Sequence, residues 1–588
     1  MTEKSRTFYE DGQVALESAL QGIIALHPGL QLHKSQKGGA GHEPCHAGFV
    51  GTNMLDAAVS GAIFASPNAG QIETGLNLIQ SSHGVLIIVK NYTGDKLNFT
   101  LAAERFGLAS GVPTRLVVVA DDVAIGRSKA ARVGRRGLAG TVLVHKIAGG
   151  ASADGLGLDD AADLVEFVTR HMGTMGVGLD GCDVPGKASS VRLGPDEVQL
   201  GIGIHNEPGS RKLNPKPPPK ELVGILLANI LSRDDKERNY LESSPLDGNH
   251  KVVVLINNLG SLSNLEIAAL VGETYTQLTA DYGITPTRIY AGTYLSALNG
   301  PGFSITIMAL PIAHEYTRKI LRYLDSPTDA PAWASSIPTS TWSLPRGSGT
   351  INSAKDDDSA ACLNIPNVPC DMSLFASIID SIHSKLIAEE PEITRLDTLM
   401  GDGDCGTTLL AGIGAISKGL QNGTVEPSSL THGIMSIAEI VSQSMGGTSG
   451  ALYAVFFTAL SSSLCVQRAG DFPSIVRALD AALKALQGVT AARVGDRTMM
   501  DSLIPFVKSL VENSGCECAA ALDAAVLAAK EGCKGTASIK SQFGRSTYVS
   551  TEDSGDTTGG LVDPGACGVV AIVQGVLEAV KGVNDEAI

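Results

Sequence analysis

Residues 85–95 read Val-Leu-Ile-Ile-Val-Lys-Asn-Tyr-Thr-Gly-Asp. Five consecutive aliphatic residues bounded by a polar, glycine-containing stretch predict a buried strand ending in a loop, which is where an α/β sheet presents reactive groups. Outward from this stretch, between about residues 80 and 310, short β-branched runs alternate with helical patterns. Leu116–Val119, Val142–Val144, Val252–Ile256 and Ser304–Met308 read as further strands. Ala161–His171, Glu221–Leu231 and Asn264–Leu278 read as helices between them. Such alternation predicts an α/β architecture.

The pattern breaks between Ser326 and Pro369, where Pro327, Pro331, Pro338, Pro345, Pro366 and Pro369 sit among Ser, Thr and Asp. This run reads as a linker, with Asp356-Asp357-Asp358 solvated. It also holds both tryptophans, Trp333 and Trp342, so its first part is expected to pack. Beyond residue 370 helical patterns recur around 372–388, 407–421, 430–443, 449–465, 472–487, 498–513, 518–532 and 565–582. In the first of them Leu374, Ile378, Ile382 and Leu386 form a stripe at helical spacing. Eight helices with short glycine-rich joins predict an all-α bundle. The expected domains are therefore 1–325 (α/β), 326–370 (linker) and 371–588 (helical).

Of 588 residues, 45 are Lys or Arg and 61 Asp or Glu, a net charge of −16 that opposes nucleic acid and acidic membrane surfaces. With 43% hydrophobic and 18% charged residues, the chain can bury sizeable cores. Its ten cysteines contain no C-x-x-C pair, which fits reduced thiols in the cytoplasm. Leu222–Leu231 is among the longest apolar stretches and is too short to cross a bilayer. Met1–Ser5 does not open a signal peptide. The expectation is a soluble cytoplasmic protein.

No G-x-x-x-x-G-K-[ST] and no G-x-S-x-G occurs, which argues against a P-loop and against an α/β-hydrolase. His42-Glu43-Pro44-Cys45-His46 matches the H-E-x-x-H zinc motif, but that motif works inside a helix, and Pro44 together with Gly38, Gly39 and Gly41 makes a loop. Asp397-x4-Asp402-Gly403-Asp404 is more informative. Three carboxylates so close repel unless cations neutralise them, and hard oxygen ligands suit Mg²⁺ bridging to phosphates. A calcium loop starting at Asp402 would need Glu at its twelfth position, where Ile413 stands. Cys405-Gly406-Thr407-Thr408 then opens a helix whose free N–H groups can meet an anion. Met445-Gly446-Gly447-Thr448-Ser449-Gly450 is a second such entry. Together they predict a magnesium–nucleotide site. In the first half, Gly201-Ile202-Gly203-Ile204-His205-Asn206-Glu207-Pro208-Gly209 sets a histidine in a glycine-flanked loop. Taken singly, that histidine and the Lys90–Asp95 loop fit structural roles as well as catalytic ones.

GGAGHEPCHAGF (38–49), KNYTGD (90–95), GRRGLAGTVLVHK (134–146), GIGIHNEPG (201–209), GDGDCGTT (401–408), MGGTSGALY (445–453), GDRTMMDSL (495–503), GRSTY (544–548) and DPGA (563–566) occur in this order. In these motifs, over nearly its whole length, the chain resembles the single-chain, ATP-dependent dihydroxyacetone kinases, including the triokinase/FMN cyclases. The resemblance implies a two-part α/β substrate domain followed by an eight-helix barrel, assembled as a homodimer. It implies that His205 adds to the substrate carbonyl as a hemiaminal and that Asp95 and His42 handle the proton of the primary hydroxyl. Gly39, Ala40, Gly41 and Lys90 would contact substrate, and Asp397, Asp402 and Asp404 would hold Mg²⁺. Nucleotide contacts would come from Cys405, Gly406, Thr407, Thr408, Thr448, Ser449, Gly488, Thr498, Met499, Asp563, Pro564 and Gly565.

The chemistry is coherent, because phosphoryl transfer needs charge neutralisation and an aligned acceptor more than covalent help. Tethering a triose through its carbonyl aligns a substrate that offers few other contacts, and it selects dihydroxyacetone and glyceraldehyde over glycerol. Two other activities remain in view. The nucleotide half could cleave FAD to cyclic FMN, with Mn²⁺ as the metal, or the chain could be a regulatory protein that binds nucleotide without turnover. One departure stands out. Relatives enter the glycine loop from a buried apolar strand, whereas Gln31–Lys37 reads QLHKSQK and Ala40 replaces the usual serine. Weak support of His42, and hence weak ketone turnover with normal nucleotide binding, is the expectation.

Overall fold

The computed structural model describes residues 11–26, 29–31, 41–79, 81–130, 133–185, 193–333, 337–342, 344, 366–425, 428–540 and 560–586. It divides into two units, residues 1–350 and 351–588.

In the first unit Val85–Lys90 (β1) and Thr114–Val119 (β2) pair in parallel, from Val85 opposite Thr114 to Lys90 opposite Val119. Val85, Ile87 and Val89 cluster with Ile72 and Leu76 of helix Ala69–Ile79 and with Ala102 and Phe106 of helix Thr93–Ser110. A second sheet holds Met172–Gly178 (β3), Val198–Leu200 (β4), Arg211–Leu213 (β5), His250–Asn258 (β6), Arg288–Gly292 (β7) and Gly302–Pro311 (β8). Its order is β5-β4-β3-β8-β6-β7, antiparallel except for the parallel β6–β7 pair. Val253 and Leu255 join the core on one face, while Val252, Val254 and Ile256 join the core on the other. Burial on both faces explains why this strand reads as an unbroken apolar run.

One expectation fails here and one strand goes unread, each for a physical reason. Val142–Val144 is not a strand but lies within helix Gly140–Ala153, where every residue from Gly140 to Ala151 is buried. A helix buried on all sides loses its amphipathic period, and a short β-branched run inside it mimics a strand. Conversely β3, Met-Gly-Thr-Met-Gly-Val-Gly, is wholly buried yet glycine-rich. At Gly173 a Cβ would sit 2.9 Å from Val123, so close packing rather than propensity sets the residue. Trp333 packs against Tyr290 and Tyr294, with ring centroids 5.2 and 5.7 Å away. Asp356–Asp358 lie outside the described residues.

Among the described residues the second unit is helical: Met372–Met400, Cys405–Gln421, Leu430–Ser444, Gly447–Gln467, Phe472–Val489, Met500–Glu512, Cys518–Gly535 and Pro564–Glu586. Asp371, Ser429 and Asp471 cap three of them by accepting backbone N–H groups with their side chains. The first helix outruns its expected end at 388 and passes through Pro391. Ile387, whose carbonyl would have bonded residue 391, is exposed, so water can take that bond. The extra turns bury Ile393, Leu396 and Met400 and deliver Asp397 to the helix end. Gly447–Gln467 and Pro564–Gly582 are long and apolar enough to cross a membrane, which corrects the expectation that no segment reaches that length. Both contribute to the apolar core of this unit, through Tyr453, Phe456, Leu460 and Leu464 and through Val569 and Val573.

Candidate active site

In the first unit, the turn at Gly41–His46 is zipped to the loop after β7. Leu298 N–H donates to Gly41 O at 3.0 Å, Ser296 N–H to His42 O at 3.2 Å and Cys45 Sγ–H to Tyr294 O at 3.1 Å. His42 Nδ1 lies 2.9 Å from Ser296 O. A carbonyl only accepts, so Nδ1 carries the proton and Nε2 is left with its lone pair. Burial, reinforced by the Lys90 charge, holds the His42 pKa well below the ordinary value.

His42 Nε2 faces His205 Nε2 at 3.0 Å. Two lone pairs at that distance would repel, so the proton between them belongs to His205. The loop around His205 is tightly specified. Gly201 and Asn206 adopt φ of +69° and +63°, and a Cβ on Gly203 would collide with the Glu207 carboxylate and the Arg136 guanidinium. Arg136 donates to Gly201 O at 2.6 Å while paired with buried Asp122 at 2.7 Å. Glu207 accepts the His205 backbone N–H at 2.8 Å and lies 3.0 Å from His205 Nδ1. Burial pushes its carboxyl up, but the bond to His205 and the His205 charge outweigh that and hold it at about 2. Ionised Glu207 thus fixes the His205 ring with Nε2 toward His42. Tyr92 and Phe64 stand edge-on to this ring, at centroid distances of 4.5 and 5.2 Å.

A cavity of about 270 Å³ is lined by His42, Lys90, Tyr92, Asp95 and His205, among others. Lys90 ends β1, and Asp95 lies in the first turn of helix Thr93–Ser110. Burial lowers the Lys90 pKa, opposed by the nearby Asp95 carboxylate. The structure therefore gathers His42, Lys90, Asp95 and His205 around one cavity and leaves Gly41 in the adjoining turn at φ +74°. Gly39 and Ala40 lie outside the described residues. Sequence reasoning singled out neither Glu207 nor Tyr92, although both sit inside the quoted motifs. A second imidazole pair was missed as well: His46 Nδ1 is 2.8 Å from His145 Nε2 in the same cavity wall. Burial keeps His145 near a pKa of about 3. The H-E-x-x-H match lies in a turn, so His42 and His46 share no helix face.

In the second unit Asp397, Asp402 and Asp404 offer carboxylate oxygens that all lie within 4.8 Å of one another. Asp397 is aimed by accepting the N–H groups of Asp404 and Cys405, both at 2.9 Å. Gly403 turns the chain at φ +77°, and a Cβ on Gly406 would strike the Glu390 carbonyl at 2.7 Å. Glycine is thus required for the helix opened by Cys405-Gly406-Thr407-Thr408 to pack there. Three hard oxygen donors converging beside a helix N-terminus fit Mg²⁺ with a phosphate ligand.

Arg497 donates to Leu561 O at 3.0 Å and reaches Met400 Sδ at 2.9 Å, tying the acidic turn to the segment before Asp563. Asp501, almost fully buried, accepts from Gly495 N–H at 2.6 Å and Thr498 N–H at 2.8 Å. Asp563 accepts from Ala566 N–H at 2.8 Å, and burial raises its pKa to about 6. A Cβ on Gly565 would lie 3.4 Å from Met499 Cβ, so the 498–499 and 563–565 segments are neighbours. Pro564 opens the last helix, and Thr448 and Ser449 sit in the first turn of helix Gly447–Gln467. Gly488 borders open space. Arg497 and Asp501 are further residues that sequence reasoning passed over inside a motif it quoted.

Family models named Dak1 domain and DAK2 domain match residues 35–332 and 399–578. A dihydroxyacetone kinase of Pichia angusta is 40% identical over 618 residues, covering 98% of this chain and 99% of the relative. A triokinase/FMN cyclase of Homo sapiens is 34% identical over 589 residues, covering 96% and 97%. The crystal structure of the C. freundii dihydroxyacetone kinase in complex with AMP-PNP and Mg²⁺ aligns with a TM-score of 0.60 at 28% identity. That alignment covers 98% of this chain and 99% of that one.

Proposed function

The chain belongs to the dihydroxyacetone kinase family, and on that premise we propose that it transfers the γ-phosphoryl group of ATP to a primary hydroxyl of dihydroxyacetone. The observation that carries this reading is the 3.0 Å His42–His205 contact in the cavity that Asp95 also lines. His205 Nε2 forms a bond to the ketone carbon while the carbonyl π bond breaks. The proton leaves Nε2 through His42 and reaches the former carbonyl oxygen. The adduct keeps its remaining proton at Nδ1, against ionised Glu207. Asp95 takes the proton of the primary hydroxyl as that oxygen meets phosphorus, general-base help worth roughly 10²–10⁴-fold. Cys405–Thr408, Thr448–Ser449 and the Asp563–Gly565 turn orient the nucleotide. Asp397, Asp402 and Asp404 would hold Mg²⁺, which when bound would neutralise the phosphate charge.

Glyceraldehyde is a second substrate in this account, and the working form is a cytoplasmic homodimer. FAD cleavage, with or without Mn²⁺, is the less favoured reading. A dihydroxyacetone kinase of Komagataella pastoris is 42% identical, against 34% for the triokinase/FMN cyclase of Homo sapiens. A coupled ADP-release assay tests the proposal. Turnover should depend on dihydroxyacetone and be lost in His205→Ala and in Asp404→Ala, whereas ATP turnover unchanged by both would refute it.

A further inference from the structure

Among the described residues one pair of cysteines meets: Cys533 Sγ and Cys567 Sγ are 3.5 Å apart. They sit on neighbouring helices, Cys518–Gly535 and Pro564–Glu586, with Cys533 buried and Cys567 half-buried. Neither thiol has a task in phosphoryl transfer. A hydrogen bond from Cys567 Sγ–H favours the thiolate at Cys533 and lowers its pKa against the pull of burial. The Ser502 hydroxyl, fully buried and without a hydrogen-bond partner, acts in the same direction from helix Met500–Glu512. Buried hydroxyls are rarely left unpaired, and an ionised or oxidised sulfur at Cys533 would give this one an acceptor.

The two sulfurs are wired to the Asp563–Gly565 turn. Thr536 Oγ1 donates to Cys533 O and accepts the Asp563 N–H at 2.8 Å, while Cys567 N–H donates to Asp563 O at 3.0 Å. A disulfide bond is about 2.05 Å long, so closing it draws the sulfurs together by roughly 1.5 Å. Through Thr536 and Asp563 that movement reaches the turn. On the reading that this turn orients the nucleotide, we infer that Cys533 and Cys567 form a reversible, peroxide-driven disulfide that displaces it and weakens Mg-ATP binding. Cys533, as the thiolate, attacks one oxygen of hydrogen peroxide. The O–O bond breaks, the departing hydroxide takes up the thiol proton as water, and a sulfenic acid remains on Cys533. Cys567 then attacks that sulfur, forming the S–S bond and breaking S–O, and the hydroxide leaves with the Cys567 proton as a second water. Two thiols lose two electrons, and the peroxide gains them. A dithiol reverses the bond by exchange.

The test treats the reduced full chain with hydrogen peroxide, removes the excess with catalase, and maps disulfides by peptide mass. Mg-ATP affinity is measured by calorimetry before oxidation, after it, and after dithiothreitol. The peptides holding Cys533 and Cys567 should be recovered joined. The dissociation constant should rise about tenfold or more, since displacements near 1 Å carry penalties of that order. Dithiothreitol should restore it, and Cys533→Ser should bind Mg-ATP like the parent both before and after peroxide. Absence of the joined peptides would overturn the proposal, as would joined peptides with an unchanged dissociation constant. An equal rise in Cys533→Ser would also overturn it by placing the effect at another thiol. The cross-link is scored by mass and needs no nucleotide, so its absence counts against this pair alone. A reduced chain that binds no Mg-ATP would overturn the nucleotide reading and the switch with it.

Discussion

The acidic cluster of the helical unit comes from one short stretch, Asp397 to Asp404, whereas the histidine site of the α/β unit joins groups up to 254 residues apart. In the first, a helix end and two glycine turns suffice to converge the carboxylates. In the second, His42 depends on Ser296, His205 depends on Glu207 and Arg136, and all of them depend on neighbouring strands and loops keeping register. A locally encoded site should survive damage elsewhere in the chain. A site assembled at long range should inherit every weakness of its scaffold, and the polar stretch Gln31–Lys37 that leads into the His42 turn is the weakness the sequence offers.

The largest expected effect isolates the histidine site. His205→Ala removes the tether that aligns the substrate and should lower ketone-dependent turnover by about a thousandfold or more in the ADP-release assay. A loss under tenfold would put the substrate elsewhere. Next comes repair of the scaffold: Val-Thr-Val-Ile-Val inserted between Lys37 and Gly38 should raise turnover by up to about a hundredfold, because ~1 Å of misplacement costs about that much. No gain would mean that the polar approach to the His42 turn does not limit catalysis.

Glu207→Gln keeps an acceptor near His205 Nδ1 but removes the charge that stabilises its proton. Turnover should drop roughly tenfold at kcat with little change in KM, and Glu207→Asp should recover part of it. The contrast also extends to acid. Burial keeps His42, His46 and His145 neutral when folded, while unfolded histidines protonate near pH 6.5. Stability of the first unit therefore declines as pH falls below 6.5, by about 1.4 kcal/mol per pH unit for each such histidine. In the second unit Asp563 titrates near 6, above the unfolded value, which favours the folded form as pH falls. Melts followed at Trp333 should thus shift down between pH 7 and 5 more than the helical signal of the second unit; equal shifts would remove the distinction.

How much was legible in the sequence follows the same division. Helical periodicity located the eight helices described in the second unit, and carboxylate spacing located its acidic turn, because both signals are local. β1, β2, β6 and β8 were legible as aliphatic runs. β3 was not, since its glycines answer to close packing, and Gly140–Ala153 was misread, since burial on every side erases period. The His42–His205 pairing left no local trace. The residues alone drew attention to His205 in its glycine-flanked loop and to His42 in a false zinc motif, but only resemblance gave them their roles, and Glu207 went unnoticed because a carboxylate two residues from a histidine has many uses. GRSTY, Gly39 and Ala40 fall outside the described residues.

Independence of the two half-sites is the central claim, and calorimetric titration of Mg-ATP into His205→Ala beside the parent chain tests it most directly. The account predicts dissociation constants within about twofold of each other, since no nucleotide contact depends on His205. A tenfold weakening, about 1.4 kcal/mol, would contradict it by showing that the ketone site and the nucleotide site are one coupled unit.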